Sequence, residues 1–298
     1  MRCSFTDTER LGRGSFGTVY HTELLDRTGA YCVKVIDFEK TGYTHTHKFH
    51  LRVYSEIDIM QLGSENPSVC DIVGAVFVTI YKVLIVMKVY SSTLQQHLKV
   101  AHTHLLHTER EHFALQCVDL LQMLYKFLNV IHSDIKVDNI FVDTQGSKNT
   151  LVLGDFGNTT SIDHSACVGF NPHREYRADA QGKAVVWDKR TYHCNSKSGT
   201  TARDVSVDLF AMTFVIMEVV LGRKGIYETV RSTKVVNVEA GVRLHGEYTR
   251  EFIALCKAVL QDDLTPPPAS YCDFLDHMRC VIKQLFEDRP HRAPLLLD

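Results

Sequence analysis

Three glycines, a lysine and several acids stand in this sequence at spacings that suit phosphate chemistry. Within LGRGSFGTVY (residues 11–20), Gly12, Gly14 and Gly17 form G-x-G-x-x-G, with Val19 two residues beyond. Glycine lets backbone N–H groups come close to a phosphate. Dinucleotide-binding folds share this spacing, but there the glycines open a helix, whereas TVYHTEL reads as a strand; that context favours a hairpin lying over phosphates. Lys34 sits in YCVKVI between apolar neighbours, where an ammonium is costly without anionic partners. Two partners are available, the phosphates of a nucleotide and Glu56 in VYSEIDIM, although either residue alone would read as a surface charge. Asp134 and Asp155 are acids in loop segments, where a lone Asp usually caps a turn.

The segment VIHSDIKVDNIFV (residues 130–142) changes the weight of those signals. Its His132, Asp134, Lys136 and Asn139 fit H-R-D-x-K-x-x-N except at Ser133, and Asp155, Phe156 and Gly157 supply D-F-G twenty-one residues after Asp134. The chain therefore resembles the eukaryotic-type protein kinase family, over nearly its whole length. The resemblance implies an α+β, two-lobed fold in a single domain over 1–298: a small β-rich lobe to about 88, a hinge at about 88–92 and a mainly helical lobe over 93–298. It also implies ATP and Mg²⁺. Asp134 would orient the acceptor hydroxyl and take its proton, and Lys136 would neutralise the γ-phosphate. Lys34, held by Glu56, would fix the α and β phosphates. Asp155 and Asn139 offer the hard oxygens that magnesium prefers. LIVMKVY resembles the hinge, with Met87 as gatekeeper and the backbone of Lys88 and Tyr90 on the adenine edge. Leu11, Val19, Cys32 and Phe141 would line the ring. His132 is expected to pack rather than transfer protons, and Asp208 in VDLFAM to anchor the catalytic loop.

Lys136 resembles the serine/threonine class, so protein Ser or Thr hydroxyls are the expected acceptors. Asp138 lies where related enzymes meet a basic residue beside the acceptor. HSDIKVDNIFV, LGDFG and LIVMKVY look most like kinases of large DNA viruses, herpesviruses among them, which would place the chain inside a host cell. Two departures stand out. Ser133 replaces the arginine that pairs with an activation-segment phosphate, so activity is expected without that phosphorylation. Asn195 and Ser196, after Tyr192 and Cys194, replace the Pro and Glu of A-P-E, so the ion pair to the large-lobe arginine, here Arg289 in DRPHRAPLLL, cannot form. A pseudokinase scaffold and a small-molecule kinase are the competing readings. Asp163, His164, Cys167, His173, His193 and Cys194 could hold zinc, but their irregular spacing argues against it.

The elements that must position these residues follow from periodicity. Strands are expected around LGRGS, GTVYHTEL, GAYCVKVIDF, VGAVFVTIY and KVLIVMKVY, with one helix at about 48–62. Phe113, Cys117, Leu121, Leu124 and Leu128 recur at steps of three and four, marking the buried face of a helix. VDLFAMTFVIMEVVLG is apolar almost all round and should be buried on every side. A last helix is expected near 271–287. Residues 158–203 show no periodicity and read as a long functional loop, and TPPPAS (265–270) as an irregular connection. With 45% hydrophobic and 23% charged residues the composition is that of a globular protein, and the net charge of -2 gives no general attraction to nucleic acid or membrane. The nine cysteines are scattered without a C-x-x-C pair, and no apolar run opens the chain, so reduced thiols in the cytoplasm or nucleus, without secretion or membrane insertion, are expected. The oligomeric state is not legible.

Overall fold

The computed structural model describes residues 3–4, 10–13, 17–25, 27–38, 46–101, 105–144, 148–162, 205–221, 247–261 and 270–287. Two compact units are present, one of Met1–Ser91 with Phe141–Thr159, the other of Ser92–Ile140 with Thr160–Asp298. The six His, Cys and Asp residues weighed for zinc, Gly14, TYHCNS and Arg289 lie outside the described residues.

The first unit is built on an antiparallel sheet of β1 (Cys3–Ser4), β2 (Arg10–Arg13), β3 (Thr18–Leu24), β4 (Tyr31–Asp37), β5 (Ile72–Thr79) and β6 (Lys82–Lys88). The helix α1 (Thr46–Leu62) stands between β4 and β5 in the chain. The strands run β1-β3-β4-β6-β5, with β2 also paired to β3. The five strands and the helix expected from the sequence are therefore present. Register decides which side chains share a face. Val19 lies opposite Lys34, Lys34 opposite Ile85 and Cys32 opposite Met87. Because strand side chains alternate, Val19, Cys32, Lys34, Ile36, Ile85 and Met87 all fall on one face. Ile36, Ile85 and Val83 pack there with Val53 and Ile57 of α1. Val33 and Val86 form a separate cluster with Leu24.

In the second unit, β7 (Ser92–Thr93) and α2 (Leu94–Ala101) lead to α3 (His107–Gln122), which runs into a π turn at Met123–Leu128. Phe113, Cys117, Leu121, Leu124 and Leu128 are all buried, as their spacing predicts. Asn129 ends the π turn in the left-handed conformation, φ 56°. The chain then enters β8 (Val130–Ile131), which pairs later with β11 (Thr160–Ser161). Between them come β9 (Ile140–Asp143) and β10 (Thr150–Leu153). Residues 141–159, which sequence order alone would place in the second part, pack with the first unit. The backbone explains this: Cys70 N–H donates to Leu153 O, Leu153 N–H to Ser68 O and Ser91 N–H to Val142 O. The helices α4 (Ser206–Leu221), α5 (Glu247–Gln261) and α6 (Tyr271–Glu287) complete the second unit. Every residue of α4 from Asp208 to Val220 is buried, as expected of a helix apolar almost all round.

Gly17 shows what the sheet demands of the glycine-rich segment. A Cβ built there would lie 2.5 Å from the Val35 carbonyl oxygen, whereas one on Gly12 would meet nothing within 4 Å. Gly17 is thus required by close packing against β4, and Gly12 leaves open space above β2. Substituting Gly17→Ala forces the two strands apart and is expected to cost about 1–3 kcal/mol of stability, read as a lower urea midpoint at unchanged slope. A wild-type midpoint would contradict this packing.

Candidate active site

The first unit gathers Lys34, Glu56 and Asp155. Lys34 Nζ donates to Glu56 Oε1 at 2.6 Å and to Asp155 Oδ1 at 2.8 Å. Glu56 reaches it because Val53, Glu56, Ile57 and Met60 form the buried stripe of α1, the acid taking one place among apolar residues. Lys34 is 8% exposed and Glu56 2%, so neither is the surface charge that each would be in isolation. Burial alone would push the ammonium down. The charges of Asp155 and Glu56, and their hydrogen bonds, outweigh it and hold Lys34 above its usual range. Burial pushes the Glu56 carboxyl up, with Lys34 acting against the shift. One ammonium between two carboxylates leaves the cluster with an excess negative charge, and Asp155, whose side chain is 30% exposed, is its outer member.

Asp155 has φ 63° and ψ 60°. For a residue other than glycine this conformation costs roughly 1–3 kcal/mol and persists only where the surroundings fix it. The short 3₁₀ turn Phe156–Asn158 follows at once, with Phe156 fully buried.

Val89 N–H donates to Ala30 O and Lys88 N–H to Asp71 O. Among the described residues the Tyr90 N–H has no acceptor, and the Lys88 carbonyl accepts from the Cys32 thiol at 3.9 Å. Cys32 is buried, and that burial pushes its thiol up to about 11. Lys88 Nζ donates to Asp143 Oδ2 at 2.7 Å and lies 5.3 Å from the centre of the Tyr90 ring. The Tyr90 ring stacks on Phe141, and its hydroxyl accepts from the Asp71 N–H. Asp143 did not emerge from the sequence; no motif marks it. Of the other expected ring-lining residues, Val19 and Met87 lie on the face that carries Lys34, while Leu11 on β2 is 55% exposed.

The second unit holds the other expected residues. Lys136 Nζ donates to Asp134 Oδ2 at 2.7 Å, and Asn139 Nδ2 donates to Asp134 O at 2.8 Å and to Oδ2 at 3.0 Å. With its amide nitrogen committed to Asp134, Asn139 keeps its side-chain oxygen for another partner. Asp208, in the first turn of α4, fixes the loop from below: His132 N–H donates to its Oδ2 at 2.6 Å and Ser133 N–H to its Oδ1 at 2.8 Å. His132 is fully buried, and its Nδ1 accepts from the Asp134 N–H at 3.2 Å. Ser133 adopts φ 66°. Asn129, Ser133 and Asp155 are the positive-φ residues other than glycine among those described.

A family model described as "Protein kinase domain" matches residues 5–278. The chain belongs to the protein kinase domain family. This kinase domain is 28% identical over 162 residues to MAP kinase kinase mkk-4 of Caenorhabditis elegans, covering 53% of this chain and 43% of that protein. It is 28% identical over 167 residues to serine/threonine-protein kinase RIM11/MSD1 of Saccharomyces cerevisiae, covering 54% and 42%. Against sporulation protein kinase mde3 of Schizosaccharomyces pombe it is 26% identical over 217 residues, covering 71% and 36%. The kinase domain spans less than half the length of these curated relatives.

Asp208 leaves two buried N–H groups without acceptors when it is truncated. Asp208→Ala is expected to cost about 2–4 kcal/mol and to raise amide exchange at His132 and Ser133, followed by hydrogen-exchange mass spectrometry. Unchanged exchange at those amides would show that other groups hold the loop.

Proposed function

We propose that this chain transfers the γ-phosphate of ATP to Ser or Thr hydroxyls of protein substrates, with Mg²⁺. The observation that carries the reading is the pair of preorganised acids. Asp155 is held by Lys34, and Asp134 is held by Lys136 and Asn139 on a loop anchored by Asp208.

The donor set suits the cofactors. Mg²⁺ prefers hard oxygens; the Asp155 carboxylate of the first unit, beside the excess negative charge around Lys34, is one such donor, and the Asn139 side-chain oxygen of the second unit is another. Bound Mg²⁺ would neutralise charge on the phosphates. The Tyr90 N–H and the Lys88 carbonyl form the donor and acceptor pair that an adenine edge requires, and Lys34 binds the α and β phosphates. Asp134 orients the acceptor hydroxyl and takes its proton as the oxygen bonds to phosphorus and ADP departs. Lys136 offsets charge on the transferred group.

Acceptor class rests on Lys136 and on the serine/threonine-protein kinase among the relatives. Asp138 is exposed and accepts from Gln95 Nε2 at 3.0 Å, and its negative charge would favour a basic side chain beside the acceptor. Ser133 in place of arginine offers no cation to an activation-segment phosphate, which supports activity independent of that phosphorylation.

The test is transfer of labelled γ-phosphate from Mg-ATP to a mixed protein acceptor pool, comparing wild type with Asp134→Asn, each before and after phosphatase treatment. The wild type is expected to transfer label to Ser and Thr, with and without phosphatase, and the variant to lose at least about a hundredfold. Absence of transfer by the wild type, with ATP still raising its melting temperature, would favour a nucleotide-binding module instead.

A further inference from the structure

Asp155 is strained, yet its carboxylate has to be held in place. Lys34 secures the side chain. The backbone immediately before it is gripped by a separate set of contacts that the kinase motifs do not include.

Leu153 is pinned in both directions, its N–H donating to Ser68 O and its carbonyl accepting from Cys70 N–H, each at 2.8 Å. At the next residue, a Cβ on Gly154 would lie 2.6 Å from Phe141 Cε2 and 3.3 Å from Cys70 Cβ. The Phe141 ring therefore occupies the space that a side chain at 154 would need, resting directly on the peptide that leads into Asp155. Phe141 is itself covered by Tyr90, with ring centres 5.4 Å apart and planes 13° from parallel. Tyr90 is fixed at its far end, where its hydroxyl accepts from the Asp71 N–H at 2.9 Å, and the Lys88 ammonium lies 5.3 Å from its ring centre, held by Asp143. The order of contact is Asp71, Tyr90, Phe141, Gly154, Asp155, and every member belongs to the first unit.

We propose that the Tyr90–Phe141 stack is a wedge that holds the Gly154–Asp155 peptide in its left-handed conformation, making Tyr90 a positioning residue for the carboxylate that takes Mg²⁺. Flat stacked rings transmit a fixed thickness, so the stack sets how far Gly154 can move toward Phe141. A glycine at 154 is the necessary partner of an aromatic ring at 141, since any larger residue there collides with it. The proposal rests on the reading of Asp155 as a magnesium residue, but the wedge exists in the chain without any ligand and is testable without activity.

Two measurements on Tyr90→Leu and Tyr90→Phe test it. In the ligand-free chain, amide exchange at Leu153 and Cys70 is expected to rise about tenfold or more in Tyr90→Leu and to stay within about twofold of wild type in Tyr90→Phe, which keeps the ring. The second measurement is the ratio of ADP affinities with and without Mg²⁺, by calorimetry. This ratio cancels any loss in binding of the base; it is expected to fall at least about fivefold in Tyr90→Leu and to remain near wild type in Tyr90→Phe. Phe141→Leu, which removes the wedge and leaves Tyr90, should reproduce the Leu result and serves in its place should Tyr90→Leu not fold. Wild-type exchange at Leu153 in the Leu variants overturns the wedge. Faster exchange with an unchanged Mg²⁺ ratio overturns the positioning role. A wild type that binds no ADP defeats the proposed function, and the exchange comparison then decides the wedge alone.

Discussion

An ammonium in the interior of a sheet has to be neutralised where it sits, and much of the first unit follows from how Lys34 is neutralised. Its strand is sequestered between β3 and β6, so water cannot solvate the charge. Glu56 has to come from α1, which requires the helix to pack its Val53–Ile57–Met60 stripe on the same face of the sheet. Asp155 has to come from a residue far along the chain, which requires residues 141–159 to return to the first unit. Removing one partner of a buried ion pair leaves an uncompensated charge and costs several kcal/mol. The cluster therefore ties three distant parts of the sequence to one another while leaving a surplus carboxylate toward solvent.

The second unit solves a related problem by adding side-chain hydrogen bonds to burial. The segment 130–142 buries Ile131, Ile135, Val137 and Ile140, yet within it Ser133 takes a conformation that L-residues avoid. Asp208, on a helix buried from Asp208 to Val220, accepts two backbone N–H groups of the loop. A rigid helix thus lends its position to a polar loop. Ser133 Oγ is buried and has no hydrogen-bond partner among the described residues.

Much of this arrangement was legible in the sequence because each signal has a physical cause. The five strands and α1 follow from alternation and from Gly and Pro punctuation, α3 from the Phe113–Cys117–Leu121 spacing and α4 from its unbroken apolar run. The ordered motifs gave Lys34, Glu56, Asp134, Asn139 and Asp155, and the structure places Lys34 with Glu56 and Asp155, and Asp134 with Lys136 and Asn139. The meaning of Gly17 was not legible, since a glycine demanded by Val35 O looks in sequence like one demanded by a phosphate. The helix α5 was readable in retrospect from Phe252, Leu255, Cys256 and Val259, which are buried at helical spacing. The Lys88–Asp143 pair and the fit of Phe141 to Gly154 depend on tertiary contact and leave no mark in spacing. Neither does the return of 141–159 to the first unit, which rests on backbone hydrogen bonds that any residue types could make.

The account stands on the claim that Lys34 and Glu56 form one buried, mutually dependent pair. A double-mutant cycle in urea unfolding, with Lys34→Met, Glu56→Gln and the double variant, measures that dependence directly. Lys34→Met is expected to cost about 3–5 kcal/mol, Glu56→Gln less because Lys34 keeps Asp155, and the double variant less than their sum, because Glu56 is already without its partner once Lys34 is gone. Additive losses would contradict the account, showing that the two residues are stabilised independently and that the cluster does not hold the unit together.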